Sequence, residues 1–559
     1  MIARLLPVLA WAPRYRRDWL LPDALAGIAV WAVMVPEGMA YAGIVGVPPI
    51  MGLHTIVPPL IAYALLGTSR LLVVGPDTAT GLISALTVGA FASQGSAEFD
   101  TLTSTLAVLI GAFFLLFGAL RLGWVAAFVP TPVMRGFIEG LVCVTIIGQV
   151  PHLLGIAGGS GNFFAKLWFV LRHVEDASPA PVLTGAVSLA AMLALRRFAP
   201  RVPAALVVAV LATILVGLAG GESAGIDVVG ELPSGLPHFE APVLDPAILQ
   251  ALTPGALAIV LVGYAEALGG AKAAALEGGG EIDPNQELVA HGPANILSGL
   301  FGGFLVVGSL SKTSVAMAAG ARTQLANLVA AGLCLLTLVF LTPLFRGLPH
   351  PALAAIVIAA MLHLSKPAYL RELLARNRWE FALAAIVIAG ELALGVPHGI
   401  ILGVVLSLLM VIYRTSHLQG AVLGQLPGTE AYRDIANHPE AVTFPGLLIW
   451  RIGGDLFFAS IGQLGEGLRA ALAVASPPVR HVLLDADSVN FIDTTGCDAA
   501  LSTIAALQRE GITFAFARVR DEVRGRLRRG GVEAAVGAAN FYERVTDGVR
   551  AWQQQSEAS

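Results

Sequence analysis

The stretch GGFLVVGSLSKTSV, residues 302–315, sets one ammonium, Lys312, against an apolar run that breaks into glycine and serine. A lysine inside a bilayer span costs about 2.5–3.5 kcal/mol on insertion scales, so it calls for a partner or a function. Two acids stand in comparably apolar surroundings: Glu37 in VMVPEGMAYAG and Glu266 in LVGYAEALGGAK. Either could hold and release a proton or pair with Lys312, and Glu266 is the expected acidic neighbour. An earlier run, RLLVVGPDTATGL, carries the same LVVG, with Gly75 and Gly308 standing 233 residues apart. Both runs end in residues that start helices. Pro76 suits a first turn and Asp77 or Thr78 can cap, while Ser309 and Ser311 offer hydroxyls for the same task. A helix that begins inside a membrane leaves backbone N–H groups unpaired unless protein, water or a ligand meets them. Two such starts brought together present converging positive dipole ends, which is an anion site, and Lys312 adds a full charge. The competing reading is that these are Gly/Ser breaks that let helices approach closely.

Positioning such a site requires a membrane scaffold, and the composition supplies one. The 559 residues are 56% hydrophobic and 13% charged, far below the roughly one-quarter charged residues of soluble domains. Apolar spans of about 20 residues recur from about residue 23 to about residue 413, and with interrupted ones included they number about fourteen. No cleavable leader is apparent, because the run after Arg14, Arg16 and Arg17 lacks a small-residue cleavage site. Basic clusters at Arg14/Arg16/Arg17, Arg196/Arg197/Arg201 and Lys366/Arg371/Arg376/Arg378 are expected on the cytoplasmic side. The segment from Gly220 to Leu252 has no Lys or Arg and carries Glu222, Asp227, Glu231, Glu240 and Asp245, so it is expected outside. An even number of crossings then leaves both termini in the cytoplasm.

That acidic loop divides the spans into two sets of about seven, one opening near Asp23 and the other near Pro254. The interval between them, about 231 residues, nearly equals the LVVG offset, and the 229 residues separating Glu37 from Glu266 agree again. An odd number of spans per repeat inverts the second copy, as in many secondary transporters. The expected organisation is a cytoplasmic N-terminal segment 1–20, a transmembrane domain 21–415 with repeats at about 21–219 and 254–415, and a soluble domain at 430–555. The last follows from GLLIWRI, HVLLDA and TFAFARV alternating with amphipathic helices, an α/β pattern.

Other chemistries find less support. Gly303 and Gly308 imitate a phosphate-binding loop, but no Lys-Ser/Thr pair follows the second glycine, so no nucleotide enzyme is expected. His54, His152 and His363 lack metal-ligand spacing, and Cys143, Cys334 and Cys497 are odd in number and scattered. No metal, cofactor or nucleic-acid partner is expected. Glu139 and Glu391 also fall in apolar runs, but no motif places them and structural roles are expected.

The blocks VPEGMAYAGIVGVPPIMGLH, LLGTSRLLVVGPDTAT, NQELVAHGPANILSGLFGGFLVVGSLSKTSVAMAAGARTQLANLVAA and FLTPLFRGLPHPALAAIVI resemble the sulfate permease family of anion transporters. The resemblance implies an α-helical polytopic fold of fourteen spans, two inverted seven-span repeats forming a substrate-carrying core and a gate, in a homodimer. It implies an anion held chiefly by backbone N–H groups between Asp77 and Thr78 on one side and Ser309, Leu310 and Ser311 on the other. Glu37 and Tyr41 would close that pocket, Lys312 would balance its charge, and Glu266 matches an acid linked to cation or proton coupling. Glu37 stands where many relatives have Gln, and Lys312 where they have Arg. The piece HVLLDADSVNFIDTTGCDAAL resembles a STAS domain, in which a hydroxyl such as Thr494 or Thr495 at a helix start could be phosphorylated, or Asp493 could simply cap. The implied activity is proton-coupled transport of a small inorganic anion, sulfate foremost, across the inner membrane. The alternatives are sodium-coupled bicarbonate or dicarboxylate transport, an uncoupled channel or exchanger, and a membrane sensor or scaffold whose STAS domain meets a cytoplasmic partner.

Overall fold

The computed structural model describes residues 6–124, 130–159, 161–199, 202–218, 225–278, 280–416 and 420–557, so Glu222 and Arg201 lie outside the described residues. The chain forms two compact units, Met1–Ser407 and Leu408–Ser559. The first is helical. Its opening half runs α1 (Leu20–Val45), α2 (Pro49–His54), α3 (Val57–Leu66), β1 (Val73–Gly75), α4 (Thr78–Val88), α5 (Ala97–Ala119), α6 (Thr131–Leu154), α7 (Phe163–His173), α8 (Pro179–Phe198) and α9 (Ala204–Leu218). The second half runs α10 (Pro246–Gly278), α11 (Pro284–Leu300), β2 (Val307–Ser309), α12 (Leu310–Ala318), α13 (Leu325–Leu336), α14 (His350–Leu364), α15 (Pro367–Arg376), α16 (Arg378–Leu394) and α17 (Val396–Ser416), the last crossing the unit boundary after Ser407. The helix expected to open near Pro254 starts at Pro246 and carries Pro254 inside it.

Among the described residues, eight helices are long and apolar enough to cross a membrane, and shorter apolar ones lie at Thr78–Val88, Ala204–Leu218 and Val405–Ser416. α4 and α12 fall short of a full span because each begins only after a strand has carried the chain part of the way. The helices sort into two bundles. α1–α5 pack with α10–α13, α6–α9 pack with α14 and α16, and the bundles meet chiefly where α1 lies against α9 and α14. Corresponding pieces of the two halves thus share a bundle.

The acidic connection between the halves is tied to both bundles. Val229 N–H bonds to Leu348 O (2.9 Å) and His350 N–H to Asp227 O (2.9 Å), beside the entry to α14. Farther on, Glu240 N–H bonds to Leu300 O (2.8 Å) and Val243 N–H to Thr105 Oγ1 (3.0 Å), on α11 and α5.

The second unit is an α/β domain. Its strands are β3 (Gly420–Gln425), β4 (Tyr432–Asp434), β5 (Leu447–Ile452), β6 (His481–Asp485), β7 (Thr513–Ala517) and β8 (Phe541–Tyr542), in sheet order β4-β3-β5-β6-β7-β8. β5 through β8 are parallel, and β3 joins β5 and β4 antiparallel. Side chains alternate across the sheet with period two. Leu448, Trp450, Val482, Leu484, Phe514 and Phe516 enter one apolar core, and Leu447, Ile449, Leu483 and Ala515 another. Strands apolar on both faces need cover on both sides. α18 (Ile461–Val474), α19 (Thr494–Arg509), α20 (Asp521–Arg529) and α21 (Val532–Val536) supply residues to the first core, and α22 (Val545–Glu557) to the second.

Candidate functional site

The two LVVG runs meet. β1 and β2 pair antiparallel with Val73 opposite Ser309, Val74 opposite Gly308 and Gly75 opposite Val307. Each strand then turns into a short helix, so the starts of α4 and α12 lie at opposite ends of a three-residue ladder.

Unwound backbone in an apolar bundle must find hydrogen bonds within the protein. Asn295 on α11 accepts from Val306 N–H and donates to Val306 O, both at 2.9 Å, while Thr55 Oγ1 accepts from Phe304 N–H at 2.9 Å and Ser298 bonds to Phe304 O. On the other run, Gln324 Nε2 donates to Ser69 O (2.8 Å) and Leu72 O (3.0 Å), and Asn327 also donates to Leu72 O (2.9 Å). Thr313 on α12 accepts from Val73 N–H at 2.9 Å, so the second helix start helps hold the first run's strand.

The caps leave donors over. Asp77 accepts from Thr80 N–H and Thr80 Oγ1, both at 3.1 Å, and Ser309 Oγ accepts from Lys312 N–H at 3.5 Å while lying 3.0 Å from Ser311 Oγ. The first-turn N–H groups of Thr78, Ala79, Leu310 and Ser311 have no acceptor among the described residues. Asp77, Thr78, Ser309 and Lys312 are buried, whereas Leu310 and Ser311 are exposed, which gives the site one open side.

Lys312 is 2% exposed, and its stem runs past Gly75, where an added Cβ would sit 3.7 Å from its Cδ. Its Nζ donates to Pro76 O at 3.0 Å and lies 3.3 Å from Glu37 Oε2 and 5.0 Å from the Tyr41 ring centre. Glu37 and Tyr41, four residues apart, share the face of α1 that packs against α4 and α12. Pro36 precedes Glu37 inside α1 and denies the helix one hydrogen bond.

The expectation that Glu266 is the lysine's partner is corrected here. Glu37 makes the ion pair, because the lysine stem follows β1 to the end of the strand and emerges against α1. Glu266 sits on α10, which packs on β2, α4 and α12, and its charged neighbours are Asp77 and Lys312, with an ion pair to neither. Thr494 and Thr495 belong to the second unit. They are exposed in the first turn of α19, where Asp493 caps by accepting from Gly496 N–H at 2.6 Å and also accepts from Phe458 N–H at 3.0 Å.

Several residues that build the site were not singled out from the sequence. Glu287, His291 and Asn295 recur every fourth position on α11, a buried polar stripe that is visible as spacing once a span is assumed. Asp23, also buried, accepts from Arg322 N–H (2.6 Å), Thr323 N–H (3.1 Å) and Thr323 Oγ1 (2.6 Å), fixing the turn between α12 and α13. No local pattern announces that contact across the two halves.

Residues 20–387 match the family model described as the sulfate permease family, and residues 438–548 that of the STAS domain. The chain is 36% identical over 554 residues to a Mycobacterium tuberculosis protein named "Probable sulfate transporter Rv1739c", with 98% of each chain covered. It is 31% identical over 579 residues to "Sulfate transporter 4.1, chloroplastic" of Arabidopsis thaliana, covering 100% of this chain and 84% of that one. The solved murine Solute Carrier 26 family member A9 anion transporter, in an inward-facing state, aligns with TM-score 0.91 and 22% identity over 99% of this chain and 94% of its own, a likeness of fold. The chain is a member of the sulfate permease family with a C-terminal STAS domain.

Proposed function

We propose that the protein is a secondary active transporter of a small inorganic anion, sulfate foremost, moved across the inner membrane by alternating access and coupled to protons. The observation that carries this is the pairing of the two strands that lead into helix starts, with four unclaimed N–H groups at those starts and a buried lysine between the strand end and α1. The names of the relatives, sulfate transporters among them, favour the substrate. In this reading Asp77, Thr78, Ser309, Leu310 and Ser311 cradle the anion, Tyr41 closes the pocket and Lys312 balances charge. The bundle bearing the site moves against the one built on α6 and α14. The repeats, about 21–219 and 254–415, give fourteen crossings with both termini cytoplasmic, and the transporter works as a homodimer. The STAS domain is its cytoplasmic regulatory part, with Thr494 and Thr495 as phosphate acceptors.

Glu266 supports proton coupling because it is a carboxylate next to the site that makes no ion pair among the described residues, Lys312 being paired with Glu37. In proteoliposomes, labelled sulfate uptake is expected to saturate, to show counterflow and to be driven by an inward proton gradient but not by sodium. Glu266→Gln is expected to weaken the proton drive, the remainder resting on Glu37. Uptake of unaltered pH dependence in Glu266→Gln would remove Glu266 as the coupling group, and drive by sodium alone would replace the proton. Unsaturable flux without counterflow would indicate a channel.

A further inference from the structure

We infer that Glu37 is a resident counter-anion that sets which anion valence the site accepts. This rests on the transport reading above.

The ion pair occupies the place a substrate would need. Lys312 Nζ meets Pro76 O, Glu37 Oε2 and the Tyr41 ring, and the Glu37 side chain is 7% exposed. Glu37 Oε2 is buried beside the ammonium with no hydrogen-bond donor within ordinary limits among the described residues, and the Tyr41 hydroxyl is the other polar group that interacts with the carboxylate. A carboxylate carries one negative charge and two acceptor oxygens, much as a small inorganic anion does. With the site empty it neutralises Lys312 in surroundings where an isolated charge is costly.

An incoming anion competes for that charge. If Glu37 stays ionised, the lysine is shared between two negative groups, and the carboxylate repels the newcomer. Coulomb repulsion scales with the product of charges, so the same carboxylate opposes a dianion twice as strongly as a monoanion at equal distance. If Glu37 takes up a proton, the repulsion disappears and the whole lysine charge faces the substrate. Because the lysine attracts the dianion twice as strongly too, what differs with valence is the effect of the proton: protonation of Glu37 helps a dianion twice as much as a monoanion and shifts the preference toward dianions. The proton enters with the dianion and leaves when the carboxylate recaptures Lys312.

The other groups that face Glu37 are few. Among the described residues, Tyr41 on its own helix, Lys312 on α12 and His363 at the end of α14 are titratable groups that interact with it. Tyr41 in turn faces Asp77 and Arg196, and Arg196 Nη1 is held by Ala359 O at 2.7 Å. Asp77 is engaged as the cap of α4. Of the two acids not used in capping, Glu37 alone touches the lysine.

The test uses the full chain in proteoliposomes, with unlabelled sulfate and nitrate as competitors of labelled sulfate uptake at pH 6 and pH 8. In the wild type, sulfate affinity is expected to rise on acidification by up to about tenfold per pH unit, the limit for one linked proton, and nitrate affinity to change less. Glu37→Gln is expected to bind sulfate more tightly than the wild type at pH 8, with a shallower pH dependence, and to gain more for sulfate than for nitrate. Glu37→Asp is expected to restore the slope. A wild-type slope in Glu37→Gln, or equal weakening for both anions, overturns the inference while transport stands. No sulfate uptake by the wild type overturns the transport reading and the inference with it.

Discussion

Glu287 and Glu391 are both buried acids of the helical unit, and their surroundings predict opposite consequences of removing their charge. Glu287 accepts from Tyr63 Oη (2.7 Å), Thr68 N–H (2.9 Å), Thr68 Oγ1 (2.5 Å) and Ser69 N–H (3.3 Å), so it anchors the extended segment that leads into β1. Neither oxygen of Glu391 has a hydrogen-bond partner among the described residues. The side chain is wedged where a Cβ on Gly140 or Gly399 would collide with it. An orphaned buried donor costs about 1–3 kcal/mol. Glu287→Ala, which strands several donors at once, is therefore expected to lower the melting midpoint of the detergent-solubilised protein markedly. Glu287→Gln, which keeps one acceptor but turns an NH2 toward donors, should fall between. Glu391→Gln should leave the midpoint unchanged or raise it, since it removes an uncompensated acid at almost constant volume. Thermal unfolding of the three variants beside the wild type checks this, and a Glu391→Gln midpoint as low as that of Glu287→Ala would contradict it.

Helix crossings decide whether the two strands can meet, and one crossing depends on glycines. Gly111 and Gly118 on α5 stand seven residues apart, as do Gly292 and Gly299 on α11, and the helices run antiparallel along that stripe. A Cβ on Gly111 would lie 2.6 Å from Gly292 O, and one on Gly118 2.7 Å from Val289 Cγ2. Small residues let helices approach where lipid supplies no hydrophobic drive. Gly111→Val should therefore push α5 from α11 and reduce both folded yield and uptake. Gly217→Val, on the exposed side of α9 where nothing lies within 4 Å, should leave both near wild type. Size-exclusion profiles and uptake of the two variants decide the matter, and equal behaviour would mean that the crossing has slack. At this scale the sequence was informative where a pattern is local or repeated. The LVVG echo, the Asp77 and Ser309 caps and the βα alternation after Tyr413 were readable, whereas Pro76 stands before the cap of α4 and not in its first turn. The partner of Lys312 was not, because Glu37 and Glu266 hold repeat-related places and only the path of the lysine stem past Gly75 separates them. The contributions of Asn295, Gln324 and Asn327 were equally hidden, since each is a polar residue whose meaning depends on backbone brought to it by the fold.

The molecule divides into a membrane unit, in which Thr55, Asn295, Gln324 and Asn327 hold unwound backbone, and a second unit with apolar cores of its own. Residues 420–557 should therefore fold when expressed alone, and their stability should carry a signature of one buried histidine. His481 on β6 is stacked on Trp552, with ring centres 5.5 Å apart, and its Nδ1 lies 2.5 Å from Thr513 Oγ1. Burial pushes its pKa from the usual 6.5 down to about 4. A depressed histidine pKa means that the unfolded chain binds the proton first. The contribution is whole above about pH 6.5, declines as the pH falls toward 4, and amounts to about 3 kcal/mol at most, at 1.36 kcal/mol per unit. Glu533 adds a loss at lower pH, because its hydrogen bonds from Arg528 and Arg524 hold its carboxyl below the ordinary range. Urea denaturation of the isolated domain by circular dichroism should accordingly show stability falling between pH 6.5 and 4. His481→Phe keeps a ring against Trp552 but cannot titrate, so its profile over that interval should be much flatter. An unchanged slope in His481→Phe would assign the acid sensitivity to carboxylates instead.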